Sequence, residues 1–124
     1  MLTRPLSEPV HAEASALKAA ACLFHAFQDP SRLAIVQHLV LGEHRVVDLT
    51  AHLGLAQSTV SKHLACLKDC GLVSSRPHGR ASVFSLNHPE ALMDLLAAAE
   101  RLLGLTGDAV MLCPRYGITS TESA

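Results

Sequence analysis

Hydrophobic residues recur with the period of an α-helix over most of this sequence. Asp29 followed by Pro30 indicates a helix start, because Asp caps free N–H groups and Pro is tolerated at the first helical position. Gly42 indicates the end of that helix, because glycine readily adopts the conformation that follows a last turn. The pattern predicts five helices, at about 14–28, 30–41, 46–53, 57–70 and 89–103.

The middle of the chain combines two closely spaced helices with a change of pattern. A short turn that contains Gly54 separates the third and fourth helices, an arrangement typical of a helix-turn-helix. After Gly71, residues 72–76 and 81–86 flank a turn at 77–80, which predicts a β-hairpin. The expected fold is therefore mainly α with a β-hairpin wing.

The fourth predicted helix has two distinct faces. Val60, Leu64 and Leu67 share one face, which we expect to be buried. Small and polar residues that can approach a DNA groove closely occupy the opposite face: Ser58, Ser61, Lys62 and Ala65. Thr59 and His63 lie between the two faces. Since the second helix of a helix-turn-helix enters the major groove, this face is a candidate DNA-reading surface.

Composition and charge support a small helical domain. A chain of 124 residues accommodates one domain, and 49% hydrophobic residues exclude a disordered composition. Aromatic residues are only 3%, so the core depends on Leu, Ala and Val, which favours packed helices. The net charge of −1 is unevenly distributed, because residues 54–86 carry +3 between flanks of −1 and −3. This basic segment coincides with the helix-turn-helix and hairpin.

The polar face of residues 57–70 has an alternative interpretation. Taken alone, it could simply be the solvent-facing side of an amphipathic helix, with no role in DNA binding. The order of helix, glycine turn, helix and hairpin favours DNA binding, because it places basic residues on a wing that can reach phosphates. The predicted DNA-binding residues are Gln57, Ser58, Thr59, Ser61, Lys62, His63, Arg76 and Arg80.

Four cysteines suggest a second kind of chemistry. No stretch is apolar enough for a bilayer span or a signal peptide, so we expect a cytoplasmic protein without a disulfide framework. Cys66 and Cys70 are four residues apart, on one side of the fourth helix and away from the predicted DNA face. With Cys113 from the tail they can supply three sulfur ligands, which prefer soft metals. The alternative is that these cysteines are small hydrophobic core residues.

Several sequence blocks resemble the ArsR/SmtB family of bacterial metal-sensing repressors. The resemblance covers about residues 14–104, and its most specific blocks are 28–33, 57–64, 71–73 and 79–80. It implies a winged-helix homodimer, paired through its first and last helices, that binds a twofold-symmetric DNA operator and dissociates when metal binds. Cys22 is then expected at the dimer interface, with a role as a fourth ligand as the alternative.

Residues 63–73 resemble the CmtR-like, cadmium- and lead-sensing branch of the family. This resemblance implies Cys66, Cys70 and Cys113 as ligands for Cd(II) or Pb(II), with Hg(II), Zn(II) or As(III) as further candidates. The family's other common site, on the last helix, uses a pattern of Asp and His residues that is broken here, because the region reads Asn87-His88-Pro89-Glu90 and later has Arg101 and Gly104, so a Zn(II) or Ni(II) site is not expected there. The remaining histidines show no ligand spacing, and we expect them to face solvent or the core: His11, His25, His38, His44, His52 and His78.

The expected organisation is a flexible arm at 1–13, a DNA-binding and dimerisation domain at 14–104, and a tail at 105–124 that carries Cys113. The predicted function is metal-responsive repression of efflux or detoxification genes, without enzymatic activity. One alternative is a redox-sensing repressor that uses the same cysteines, although two cysteines four apart on an intact helix are poorly placed for a disulfide. Another is a winged helix that binds protein. The sequence does not contain the motifs that a thiol enzyme or a zinc hydrolase would require.

Overall fold

Five helices and a three-stranded sheet form the part of the chain that is described. A computed structural model describes residues 7–112, and the side chains of residues 12–112. The elements are α1 (Ser7–Ala26), α2 (Pro30–Val40), β1 (His44–Arg45), α3 (Val46–Leu53), α4 (Gln57–Asp69), β2 (Val73–His78), β3 (Ala81–Leu86) and α5 (Pro89–Leu105).

The predicted helix boundaries in the middle of the chain are confirmed by their caps. The Asp29 side chain accepts a hydrogen bond of 2.7 Å from the Ser31 N–H, with Pro30 in the first turn of α2. Leu41 caps the other end of α2, and Gly42 follows with a φ of 145°. Gly54 ends α3 with a φ of 66°, a left-handed conformation that favours glycine.

The boundaries predicted for the first helix were wrong at both ends. α1 begins at Ser7, inside the segment expected to be an arm, because Pro9 is compatible with a first turn. It ends at Ala26 instead of Gln28, because the Arg32 guanidinium donates to the carbonyls of Ala26 and His25 at 2.7 and 2.9 Å. A cation at the last carbonyls stabilises a helix end.

The predicted hairpin is confirmed, and a short third strand joins it. β2 and β3 are antiparallel, with pairs from Val73 opposite Leu86 to His78 opposite Ala81. Gly79 occupies the two-residue turn with a φ of 64°. β1 pairs with the other edge of β3, which gives the strand order β1-β3-β2. Two residues are too short for an alternating pattern, so the sequence did not reveal β1.

One hydrophobic core joins the helices and β2. Its most deeply buried members include Ile35 and Val36 of α2, Leu49 of α3 and Leu64 of α4. The outer helices also leave several large apolar side chains in solvent. The exposed residues include Leu17 (70%) and Phe24 (62%) on α1, with Leu102 (62%) and Leu105 (85%) on α5. Apolar surface of this kind commonly marks an interaction face.

Candidate functional site

Helix α4 presents the two faces that its sequence predicts. Val60, Leu64 and Leu67 are at most 1% exposed and hold the helix against the core. The side chains of the opposite face are all exposed, and Thr59 and His63 are half-buried between the two faces. That opposite face consists of Ser58, Ser61, Lys62 and Ala65, and Gln57 at the start of the helix is exposed as well. The helical period was therefore sufficient to place these residues.

A surface cleft adjoins the N-terminal end of α4. Its volume is about 350 Å³, and it lies between α4, the start of α3 and the hairpin. Ala56, the residue before α4, supplies no side-chain cap, so the first N–H groups of the helix stay available to an anion. The lining residues are Arg45, Val46, Val47, Gln57, Arg80, Ala81, Ser82 and Phe84. Helix N-termini and two arginines make this cleft suitable for a phosphate backbone.

The basic residues near this cleft differ in how far they are neutralised. Within residues 12–112, Lys62 and Arg80 form no ion pair. Arg76 is paired with Glu43 across the sheet, and Arg45 is paired with Asp48 at 3.1 Å. The hydrogen bond with Glu43, together with its charge, raises the pKa of Arg76. Of the two predicted wing contacts, Arg80 is the free cation.

His63 contacts α2 and is mostly withdrawn from solvent. Its side chain is 14% exposed, with Nδ1 at 3.3 Å from an Arg32 nitrogen and Nε2 at 3.9 Å from Asp29 Oδ1. The hydrogen bond from the Ser31 backbone, with the nearby charges of His63 and Arg32, holds the pKa of Asp29 below its usual value. His63 therefore connects α4 to the α1–α2 junction, which limits its reach towards DNA.

At the other end of α4, Cys70 meets a cysteine that is distant in sequence. Its Sγ lies 2.7 Å from Sγ of Cys22 on α1, and 3.4 Å from the Cys22 carbonyl oxygen. The hydrogen bond with Cys22, together with burial, raises the pKa of the Cys70 thiol to about 11. Cys70 is therefore protonated at neutral pH, and an ion that binds it must displace a proton. No local pattern linked Cys22 to Cys70, because 48 residues separate them.

The three predicted metal ligands are only partly covered by the structure. Cys66 and Cys70 are half-buried free thiols on the same side of α4, and Cys113 lies outside the described residues. Among the side chains of residues 12–112, no group of three or more His, Cys, Asp and Glu is arranged to hold a metal ion. The residue before Cys113 is anchored, because Leu112 bonds through its backbone to the side chains of Gln37 and Glu100.

Three of the histidines that show no ligand spacing in the sequence lie together in the structure. The ring centroid of His52 on α3 is 5.0 Å from that of His38 on α2, and 5.6 Å from that of His44 in β1. His44 Nδ1 donates to the Gly42 carbonyl at 2.8 Å. Burial, then the charges of His52 and His44, lowers the pKa of His38. The His38 and His52 rings stack at 11°, so their faces meet and their nitrogens do not converge.

Comparisons with known proteins agree with this geometry. The family described as "Bacterial regulatory protein, arsR family" matches residues 29–75. The chain is 37% identical over 92 residues to the "Probable mercury resistance operon repressor" of Streptomyces lividans, covering 74% of this chain and 73% of that protein. The chain belongs to the ArsR family. This ArsR-family protein is thus a DNA-binding transcriptional regulator and not an enzyme.

One further related sequence and one solved structure resemble this chain. The HTH-type transcriptional regulator CmtR of Mycobacterium bovis is 44% identical over 68 residues, which cover 55% of this chain and 58% of that protein. The fold is a winged helix-turn-helix, like the homodimeric DNA-binding domain Mb0332 from Mycobacterium bovis. That structure has a TM-score of 0.66 at 26% identity and covers 84% of this chain and 95% of its own. None of the described helices combines the length and apolar sequence that a membrane crossing requires.

Proposed function

We propose that this ArsR-family protein represses transcription as a homodimer and releases its operator when its cysteines bind a thiophilic metal ion. Cd(II) or Pb(II) is the expected effector, with Hg(II), Zn(II) and As(III) as the other candidates. The observation that carries the proposal is that one helix combines both functions. α4 exposes Ser58, Ser61 and Lys62 near its N-terminus and ends in the cysteine pair Cys66 and Cys70.

Operator reading is assigned to the exposed face of α4 and to the wing. Ser58, Ser61 and Lys62 can reach base edges or phosphates, while Arg80 is free to contact the backbone on the far side of the cleft. Gln57 and Thr59 belong to the same surface. His63 and Arg76 are assigned supporting roles, because Arg32 and Glu43 already engage them.

Pairing of two protomers is assigned to α1 and α5. Leu17 and Phe24 on α1, with Leu102 and Leu105 on α5, are exposed in the single chain and would be buried between two copies. The related Mb0332 domain is a homodimer. A twofold dimer presents two α4 helices to two half-sites, as symmetric DNA readers do.

The effector site is assigned to Cys66 and Cys70 on α4 and to Cys113 from the tail. Thiolate ligands select soft and borderline ions, and Cys66 and Cys70 already share one side of the helix. An ion bound by these thiolates would connect the end of α4 to the segment after Leu112. Since α4 is also the DNA-reading helix, a restraint at its C-terminal end changes how its other end is presented.

The test is DNA release measured against a panel of metal ions. A duplex selected for binding by the reduced, metal-free protein is titrated, and each ion is then added to wild type, Cys66→Ser and Cys113→Ser. We expect a thiophilic ion to release wild type from the duplex and to have little effect on both variants. Release that is equal in all three proteins would contradict the assigned ligands.

Reciprocity supplies a second measurement. If metal lowers the affinity for DNA, saturating DNA must lower the affinity for metal by the same factor. Metal affinity is therefore measured with and without the selected duplex. If saturating DNA leaves the metal affinity unchanged, the proposed coupling is contradicted, even if the protein binds both metal and DNA.

A further inference from the structure

The geometry points to an intramolecular disulfide between Cys22 and Cys70, a reversible modification site that joins α1 to the end of α4. The two sulfur atoms are 2.7 Å apart in the reduced pair, and a disulfide bond is about 2.05 Å long. The sulfurs therefore need to approach by only about 0.7 Å. The proposed ligands Cys66, Cys70 and Cys113 do not include Cys22, so the disulfide shares Cys70 with the proposed metal site and adds a different partner.

The fold holds both cysteines in place. Cys22 lies within the continuous helix α1, so its backbone is fixed by helical hydrogen bonds. Cys70 caps α4, and its N–H donates to the Cys66 carbonyl at 3.2 Å. The next residues close the helix end, because the Leu72 N–H donates to the Leu67 carbonyl at 3.0 Å. The two thiols meet because rigid elements bring them together.

Cys66 is a poor partner for the same reaction. Side chains four apart on a helix have Cβ atoms about 5–6 Å apart, and a disulfide requires about 3.5–4.5 Å. The helical hydrogen bond between Cys70 and Cys66 is intact, so this pair could join only if the helix end unwound. Cys22 approaches Cys70 from another element and needs no such change.

The reaction is a two-electron oxidation by a peroxide. Cys22 is the thiol that is exposed in the single chain, and its sulfur attacks the peroxide oxygen, which gives a sulfenic acid as the O–O bond breaks and the first water leaves. The Cys70 sulfur then attacks the Cys22 sulfur; an S–S bond forms, the S–O bond breaks, and the hydroxide leaves with the Cys70 proton as a second water. Both sulfurs are oxidised and hydrogen peroxide is reduced to two waters. A dithiol reductant reverses the modification.

This modification would control the effector response, a consequence that rests on the proposed function. The disulfide removes Cys70 from the ligand set, because a sulfur bonded to sulfur is no longer a thiolate. The 0.7 Å approach leaves α4 in nearly its present position, so the DNA-reading face should be retained. The oxidised protein is expected to bind DNA and to lose its response to Cd(II).

Peptide mapping of the full chain tests the disulfide directly. Reduced protein is treated with hydrogen peroxide, its free thiols are alkylated, and it is digested with trypsin without reduction. The Lys and Arg positions place each cysteine in its own peptide, at 19–32, 63–68, 69–80 and 102–115. We expect peptide 19–32 linked to 69–80 in a protein that runs as a monomer on a denaturing gel. A link that involves 63–68 or 102–115, or a cross-linked dimer, would overturn the assignment.

Matched variants separate the disulfide from general oxidation. Cys66→Ser should form the same linked peptide as wild type, and Cys22→Ser should form none. Cd(II) added after peroxide should give the ultraviolet absorbance of Cd–thiolate bonds in Cys22→Ser and little of it in wild type, and wild type should regain it once the protein is reduced with a dithiol and the dithiol is removed before Cd(II) is added. If peroxide lowers the Cd–thiolate absorbance equally in wild type and in Cys22→Ser, the role assigned to Cys22 is contradicted. If reduced protein binds neither Cd(II) nor any of the other candidate ions, the proposed function fails while the peptide map still decides the disulfide.

Discussion

The two ends of helix α4 differ in what they leave free. The N-terminal end has no side-chain cap and exposes Lys62 without an ion-pair partner in the described chain. The C-terminal end is held by contacts, because Cys70 meets Cys22 and Lys68 Nζ donates to Ser75 Oγ at 2.9 Å. One end is therefore available to a large ligand, and the other is tied to neighbouring elements.

This difference supports the proposal that one helix serves both DNA and an effector. The buried stripe of Val60, Leu64 and Leu67 runs along both ends, so a movement imposed at the C-terminal end must move the exposed face. His63 adds a further link, because it contacts Arg32 and Asp29 at the junction of α1 and α2. Helix α4, the proposed DNA-reading helix, is thus connected to the end of α1, which carries part of the proposed dimer face.

The largest effect is expected on stability, from the buried residues that anchor both ends of α4 to the core. Leu64→Ala removes a side chain that is 1% exposed and should lower the free energy of unfolding by about 2–5 kcal/mol. Denaturant unfolding measures the change. Ala65→Ser, on the exposed face, is the control and should change stability by less than about 0.5 kcal/mol. Similar values for the two variants would mean that α4 is not anchored by its buried stripe.

Two lysines on α4 test the comparison most directly. Lys62→Ala should weaken binding to the selected duplex by about tenfold and reduce its salt dependence, because each protomer of the proposed dimer loses a cation on the predicted DNA face. Lys68→Ala removes the same charge near the C-terminal end and should have a much smaller effect. Fluorescence anisotropy at several salt concentrations measures both. A larger loss for Lys68→Ala would reverse the assignment of the two ends.

The wing offers a smaller effect of the same kind. Arg80→Ala should weaken DNA binding by about threefold to fivefold, because it removes an unpaired cation beside the cleft. Arg76→Ala should cost less, because Glu43 already neutralises Arg76. Glu43→Gln would release Arg76 and should tighten binding. If Glu43→Gln leaves the affinity unchanged, Arg76 does not lie near the DNA.

The smallest effect concerns the histidine cluster, away from both ends of α4. Since the pKa of His38 is lowered in the folded state, the unfolded chain binds more protons as the pH falls below about 6.5. Stability should therefore decrease as the pH falls from about 6.5 through the folded pKa. Thermal unfolding at several pH values should show a shallower decrease for His38→Gln than for wild type. His78→Gln, on the exposed hairpin, is the control, and equal slopes in the two variants would exclude the cluster as the cause.

Much of the fold was predictable because it depends on local signals. Asp29 with Pro30, Gly42 and Gly54 mark helix ends through their own conformational preferences, and the structure confirms each of them. The start of α1 and the strand β1 were not predicted. A two-residue strand has no periodicity, and its pairing with Phe84 and Val83 depends on a chain segment that is distant in sequence.

For the candidate site, too, some features were predictable from the sequence and others were not. The sequence correctly placed the exposed and buried positions of α4, because a helix converts spacing into direction. It gave no indication that Arg76 is neutralised by Glu43 or that His63 contacts Asp29. The free basic residues could therefore be identified only in the folded chain. The roles of the predicted DNA-binding and metal-binding residues stay predictions for the experiments above.

By itself, the sequence determined the order of the elements, the two faces of α4 and the resemblance that points to the ArsR family. These properties follow from backbone preferences and from residue spacing within one element. Only the tertiary structure decided which thiol Cys70 meets, and that His38, His44 and His52 share one cluster. Such contacts join residues on different elements, and their distances depend on how the helices pack around a common core.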